Sequence, residues 1–339
     1  MFKNINCKNL PSLRRNIVYQ FLYELLIVFI PLFTIPYVSR VLGAENIGLF
    51  SYTYAVANYF VLFANLGIKN YGSRTIAMVR NNKEELNRNF SEILSIHIIF
   101  SIIVIFVYLV LLFFFVEDNL VIFLIQSIYV FAAVFDINWF FFGIEKFKLT
   151  VGRNTLVKIL SVFLVLVFVK TQTDLWIYAL ILALSVFVGQ SVVWFALKQY
   201  VSWRRPSWAN MKQHIRPLFV LFLPILALSL YKYMDKIMLG SISSNVQVGF
   251  YENAEKIINV PMSLIMAFGV VLMPRIANMV TSKDKGEVFK LIDMSMEAVM
   301  LLAIAISFGL AGFSFVLAPI FFGYEFEECG ILIMGLAVT

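Results

Sequence analysis

Charge is what this sequence most lacks. Asp, Glu, Lys and Arg together make up 14% of its 339 residues, against about 25% in an ordinary soluble domain. Such a chain has too little polar side chain to clothe a water-facing surface. Cysteine is nearly missing too. Cys7 and Cys329 are the two present, and they fall on opposite sides of the membrane in the topology below. That excludes a bridge between them and a cysteine metal cluster. Of the two histidines, His97 and His214, neither has a second histidine or cysteine at helical spacing, so a structural or solvated role is expected for both and no cofactor. No Gly-rich Lys-Ser/Thr loop occurs, so ATP is not the expected energy source. The basic start, with Lys3, Lys8, Arg14 and Arg15, precedes an apolar run too long for a cleavable signal peptide, and no small-residue cleavage site follows it.

What is present is apolar: 61% of the residues are hydrophobic, with 35 phenylalanines. Runs such as Ile98–Val116 and Leu120–Phe135 approach or reach the length of about 20 residues that crosses a bilayer core. Lipid offers backbone groups no partners, so the spans should be helices. The sequence therefore predicts an all-α polytopic membrane protein. Spans are expected at 17–42, 46–67, 91–116, 120–142, 154–169, 175–197, 217–240, 248–273 and 291–317, and a tenth begins near 330. Most of the 27 basic residues fall in alternate loops, among them Lys69, Arg74, Arg80, Lys83 and Arg88, then Lys198, Arg204, Arg205, Lys212 and Arg216. The opposite loops hold Glu45, Glu117, Asp118, Asp174, Glu325, Glu327 and Glu328. The positive-inside rule then places the amino terminus in the cytoplasm. The net charge of +7 reads as a topology signal and a contact with anionic membrane lipids, not as a nucleic-acid footprint.

The chain also repeats itself. Arg40-Val-Leu-Gly43 precedes Gly48-Leu-Phe, and Lys236-Ile-Met-Leu-Gly240 precedes Gly249-Phe-Tyr. Arg74-Thr-Ile-Ala-Met-Val has a counterpart in Arg275-Ile-Ala-Asn-Met-Val, and both Gly48/Gly249 and Arg74/Arg275 are 201 residues apart. Six spans separate the copies, so both enter from the same side, as in a parallel repeat. The expectation is a two-lobe helical bundle: a six-helix lobe over 1–200 and a second lobe over 201–339 with about four of six helices. Pro31 and Pro36 in the first span and Pro224 in the seventh predict matching bends.

A charge inside a bilayer costs from about 2.5 kcal/mol upward, so such residues face protein or water. Lys232 and Lys236 are four apart on the seventh span, with Asp235 beside them. Glu252 and Lys256 repeat the spacing on the eighth, next to Glu255. Glu24 and Asp136 are further intramembrane acids, and Arg40 lies near an outer helix end. These groups could line a polar cavity or form an ion-pair network, and the two readings overlap. Asp136 sits in Phe135-Asp-Ile-Asn-Trp-Phe-Phe-Phe. With Asn138 it could cap or bond a neighbouring helix, or carry a proton or a cation. The sequence does not decide between these.

Several segments together resemble the Wzx-type O-antigen and polysaccharide flippases, within the superfamily of multidrug, oligosaccharidyl-lipid and polysaccharide exporters. They are Tyr37-Val-Ser-Arg-Val-Leu-Gly-Ala-Glu-Asn-Ile-Gly-Leu-Phe50, Gly67-Ile-Lys-Asn-Tyr-Gly-Ser-Arg74, Asp136-Ile-Asn-Trp-Phe-Phe-Phe-Gly-Ile-Glu145, Asp235-Lys-Ile-Met-Leu-Gly240 and Gly249-Phe-Tyr251. The resemblance implies a non-enzymatic transporter in a bacterial inner membrane. Its cargo would be an undecaprenyl-diphosphate-linked oligosaccharide, moved from the cytoplasmic to the periplasmic leaflet by alternating access between two lobes. It also implies a cationic central cavity, and a polysaccharide polymerase and chain-length regulator as partners. Arg40, Lys232, Lys236 and Lys256 are then the candidate cations for the diphosphate, and Trp139 a face for a sugar. Glu24, Asp136, Asn138, Asp235, Glu252 and Glu255 are candidates for ion coupling or structure.

The family pattern has twelve spans or more, and this chain stops within a tenth, which predicts an incomplete chain. The competing readings are a drug or metabolite exporter of the same superfamily, whose site should favour acids over lysines, and a membrane glycan polymerase or acyltransferase. The latter wants a long outer loop with clustered His, Asp, Glu or Arg, and the outer loops here are short.

Overall fold

The computed structural model describes residues 10–281 and 285–338, and every regular element among them is helical. The helices are α1 (Leu10–Asn65), α2 (Ile68–Val79), α3 (Lys83–Phe115), α4 (Leu120–Val134), α5 (Asn138–Gly143), α6 (Phe147–Phe168), α7 (Leu175–Leu197), α8 (Trp208–Ile242), α9 (Asn245–Thr281), α10 (Lys285–Phe322) and α11 (Cys329–Val338). Seven stretches among the described residues are long and apolar enough to cross a membrane: Leu32–Val79, Lys83–Phe115, Leu120–Gly143, Leu149–Phe168, Gln172–Leu197, Trp208–Ile242 and Val288–Phe322. The first of these joins two spans that the sequence separates. Helix α1 is continuous except at Gly43, where φ 78 and ψ 171 leave the helical region. A side chain is strained at such a φ, and glycine is not. Helices α1, α8 and α9 also run through Pro36, Pro224 and Pro261.

Local sequence explains several helix ends. The Asn82 carboxamide oxygen accepts from the backbone of Glu84 at 3.1 Å and Glu85 at 3.3 Å, and both acids complement the helix dipole in the first turn of α3. Between α6 and α7, Asp174 accepts from the amides of Lys170 at 2.9 Å and Thr171 at 2.8 Å, closing a capping box.

The chain divides into two compact units. One comprises the described residues up to Ile27 together with Phe50–Ser243; the other comprises Val28–Leu49 and the described residues from Ser244 onward. In the first unit, Phe90, Ile93, Trp139, Phe140, Phe141, Leu218 and Phe222 form the main apolar core. A second cluster gathers Ala57, Tyr108, Leu112, Phe123 and Val130, and the buried Tyr108 hydroxyl donates to the Phe123 carbonyl at 3.0 Å. In the second unit, α9, α10 and α11 pack on one another, with Phe322 and Phe326 fully enclosed. Much large apolar surface stays outside both cores: Ile102, Phe106 and Phe113 on α3, and Leu301, Phe308 and Ile320 on α10 are exposed. Water would not tolerate faces of this extent on a monomer; hydrocarbon does. The protein is a multi-pass membrane protein.

Candidate functional site

The apolar run Leu120–Phe142 does not form one helix. Helix α4 ends at Val134 and α5 begins at Asn138, so Asp136 stands in the break between them. The break explains the acid. Its Oδ1 accepts from the Asn138 amide at 3.0 Å and from Asn138 Nδ2 at 2.7 Å, satisfying donors that the helix start leaves open. The Asn138 side chain carries the connection onward. Nδ2 also donates to Gln190 Oε1 at 2.9 Å, and Oδ1 accepts from Arg153 Nη2 at 3.1 Å. Arg153 Nη1 in turn donates to the Gly189 carbonyl at 2.7 Å. One polar chain thus ties the α4–α5 break to α6 and α7. His97, fully buried on α3, adjoins it through Asp136.

Trp139, expected to offer a face to a sugar, is 2% exposed. One side of its ring stacks on Phe90, with centroids 5.6 Å apart and planes 26° apart. Gly72 of α2 lies so close to the indole that a Cβ added there would fall 2.6 Å from Trp139 Cε3. In this arrangement the residue is a packing element.

On α8, Lys236 is buried, whereas Lys232 and Asp235 are exposed. Lys232 Nζ lies 5.6 Å from the centroid of the Tyr233 ring, a cation–π distance. Glu24 lies in α1, with its side chain outside the described residues; Cys7 is outside them as well. Cys329 is a buried free thiol whose Sγ donates to the Phe250 carbonyl at 3.2 Å.

The second unit holds Arg40, Glu252, Glu255 and Lys256. Glu252 and Lys256 pair at 3.1 Å along α9. Arg40 donates to the Ile320 carbonyl at the end of α10, and the Ala44 amide donates to Glu325 at 3.0 Å. Asn253 Nδ2 donates to Ser39 Oγ at 2.9 Å, both side chains being buried. The sharpest feature is a reciprocal approach of α1 and α9. A Cβ on Gly48 would meet the Asn245 carbonyl oxygen at 1.6 Å, and a Cβ on Gly249 would meet the Ala44 carbonyl oxygen at 2.1 Å. Ala44 and Asn245 are 201 residues apart, as Gly48 and Gly249 are. Positions related by the same offset of 201 residues therefore contact each other in exchanged roles.

One site escaped the sequence reading. Glu92 on α3 and His214 on α8 are 1% and 3% exposed, with Oε2 and Nε2 3.0 Å apart. His214 Nδ1 lies 2.6 Å from the Tyr71 hydroxyl of α2, and Asn210 donates to the other Glu92 oxygen at 3.1 Å. A neutral imidazole with its proton on Nε2 satisfies every contact, donating to the carboxylate and accepting from the phenol. Beside this triad lies a cavity of about 550 Å³ bordered by Arg74 and Arg88. The one signal in the sequence was Glu92 at the edge of an apolar run. No group of three or more metal-binding side chains occurs among the described residues.

The polysaccharide biosynthesis protein family matches residues 13–280. The chain belongs to that family. Among curated proteins resembling it, one of Escherichia coli K12, provisionally named an O-antigen transporter, is 27% identical over 96% of this chain and 79% of its own length. A protein of Shigella dysenteriae with the same provisional name is 24% identical over 94% of this chain and 80% of its own. A Haloferax volcanii protein, provisionally named a low-salt glycan biosynthesis flippase, is 24% identical over 50% of this chain and 36% of its own. No solved structure matches the chain.

Proposed function

We propose that this member of the polysaccharide biosynthesis family is a flippase. Its cargo is a lipid-linked oligosaccharide of the O-antigen or capsule repeat-unit type, carried on undecaprenyl diphosphate. The cargo moves from the cytoplasmic to the periplasmic leaflet of a bacterial inner membrane by alternating access coupled to an ion gradient. The observation that carries the reading is the family match over residues 13–280, extended by relatives that align along nearly the whole chain and bear the names of transporters, not of enzymes. Ten spans, an amino terminus in the cytoplasm, and lobes over 1–200 and 201–339 belong to the same proposal; alternating basic loops and the offset of 201 residues support them. A polymerase and a chain-length regulator would act on the delivered product.

A diphosphate cannot cross hydrocarbon without compensation, and cations in a low-dielectric cavity supply it. Lys236 is the first candidate, because a lysine within a membrane helix faces protein or a water-filled cavity and this one is buried. Arg40, Lys232 and Lys256 are the others. The arrangement around Asp136 supports a structural role for that acid more than an ion-coupling one. The test is complementation of cells lacking their own flippase with the full-length gene. The wild type should restore surface polysaccharide, and Lys236→Ala should reduce it at least about tenfold at equal expression. Failure of the wild type would remove the flippase reading. Full restoration by Lys232→Ala, Lys236→Ala and Lys256→Ala alike would remove the site.

A further inference from the structure

The cavity beside the Glu92–His214–Tyr71 triad belongs to the first unit and is walled by α2, α3 and α8. Its polar rim includes Arg74, Thr75, Arg88, Asn89 and Gln213. Both arginines are exposed, and neither forms a hydrogen bond or ion pair among the described residues. No carboxylate lines the cavity among the described residues. Glu84, one turn before Arg88 on α3 and within reach of its charge, is paired with Arg204 at 2.8 Å. Glu92 lies behind His214, outside the lining. The cavity is thus cationic by construction.

Its other wall is greasy: Met78, Pro217, Val220 and Leu221. From Gln213 to Leu221 the lining advances along α8 by about 12 Å, from the polar start of a candidate span into its apolar part. Arg88 and Asn89 occupy the second turn of α3. Trp203 in the segment leading into α8 and Trp208 at its first residue, 54% and 62% exposed, mark the level where tryptophan sits at a membrane surface. A cationic rim leading down into an apolar wall at that level matches one kind of molecule, an anionic headgroup with a hydrocarbon tail. The triad holds the three helices in register, so the cavity is formed before anything enters it.

We infer that this cavity binds the phosphate headgroup of an anionic lipid from the leaflet on the basic side, with the tail against Val220 and Leu221. Arg74 and Arg88 grip the phosphate oxygens by charge-assisted hydrogen bonds. The inference rests on membrane embedding and stands or falls separately from the flippase reading.

Native mass spectrometry of the purified full-length protein tests it, by titration with phosphatidylglycerol, with a polyprenyl phosphate and with water-soluble pyrophosphate. Either lipid should bind, and the tighter of the two identifies the source. Arg74→Gln with Arg88→Gln should weaken lipid binding about tenfold or more. Lys69→Gln with Lys212→Gln removes equal charge from the same side without touching the cavity and should change binding less than about twofold. Equal losses in the two double variants, or no loss in the first, would overturn the site. Pyrophosphate that displaces lipid at comparable concentration would overturn the role given to the tail.

Discussion

His214 Nε2 and Glu92 Oε2 lie 3.0 Å apart in a setting where both side chains are almost wholly closed to solvent. The pair joins α3 to α8, and Tyr71 adds α2 from the other side of the imidazole. Removing one partner leaves the other polar and buried. Glu92→Ala or His214→Ala should therefore cost about 3 kcal/mol of stability. Tyr71→Phe, which deletes only a hydroxyl, should cost about 1 kcal/mol. Melting of the purified protein in detergent ranks the three; equal melting for all variants would contradict the buried triad.

Gly48 and Gly249 should tolerate no side chain. A methyl group at either would overlap a backbone carbonyl that cannot swing aside, so Gly48→Ala and Gly249→Ala should each cost about 3 kcal/mol or more. Gly152, with nothing within 4 Å of its added Cβ, supplies the contrast: Gly152→Ala should be neutral or gain about 0.5–1 kcal/mol through helix propensity. The folded fraction in size-exclusion profiles reports both effects.

Gly72 and Trp139 form a coupled pair. Gly72→Ala presses a methyl against the indole and should destabilise by about 1–3 kcal/mol. In a Trp139→Ala background, where the ring that meets the methyl is gone, the same change should cost less. A double-mutant cycle of melting temperatures measures the coupling, and strict additivity would disprove the contact.

Asn138 is the joint of the α4–α5 break, since one carboxamide serves Asp136, Gln190 and Arg153. Asn138→Ala should loosen residues 135–144, and hydrogen exchange there should rise by about tenfold or more while α3 stays protected. Arg153→Lys should raise it as well, because an ammonium cannot reach both Asn138 and the Gly189 carbonyl as the planar guanidinium does.

The helical class and the membrane setting were legible because hydrocarbon imposes a demand that composition alone reveals. The contact of Gly48 with Gly249 was not legible: their shared offset with Arg74 and Arg275 singled them out, but nothing in it says that the two meet. The Glu92–His214–Tyr71 triad was not legible. His214 is 122 residues from Glu92 and 143 from Tyr71, and no local periodicity links three helices. The break at Asp136 was hidden by the apolar residues on both sides of it, although an acid two residues before Asn138 is what an exposed helix start requires. The burial of Trp139 was not legible, because no local pattern says that Gly72 leaves room for its ring.

The exchange between Ala44–Gly48 and Asn245–Gly249 has the logic of an isologous dimer, in which one surface meets a second copy of itself. Here both surfaces belong to a single polypeptide. A chain severed anywhere between Gly48 and Asn245 would leave each fragment with a patch already fitted to the other.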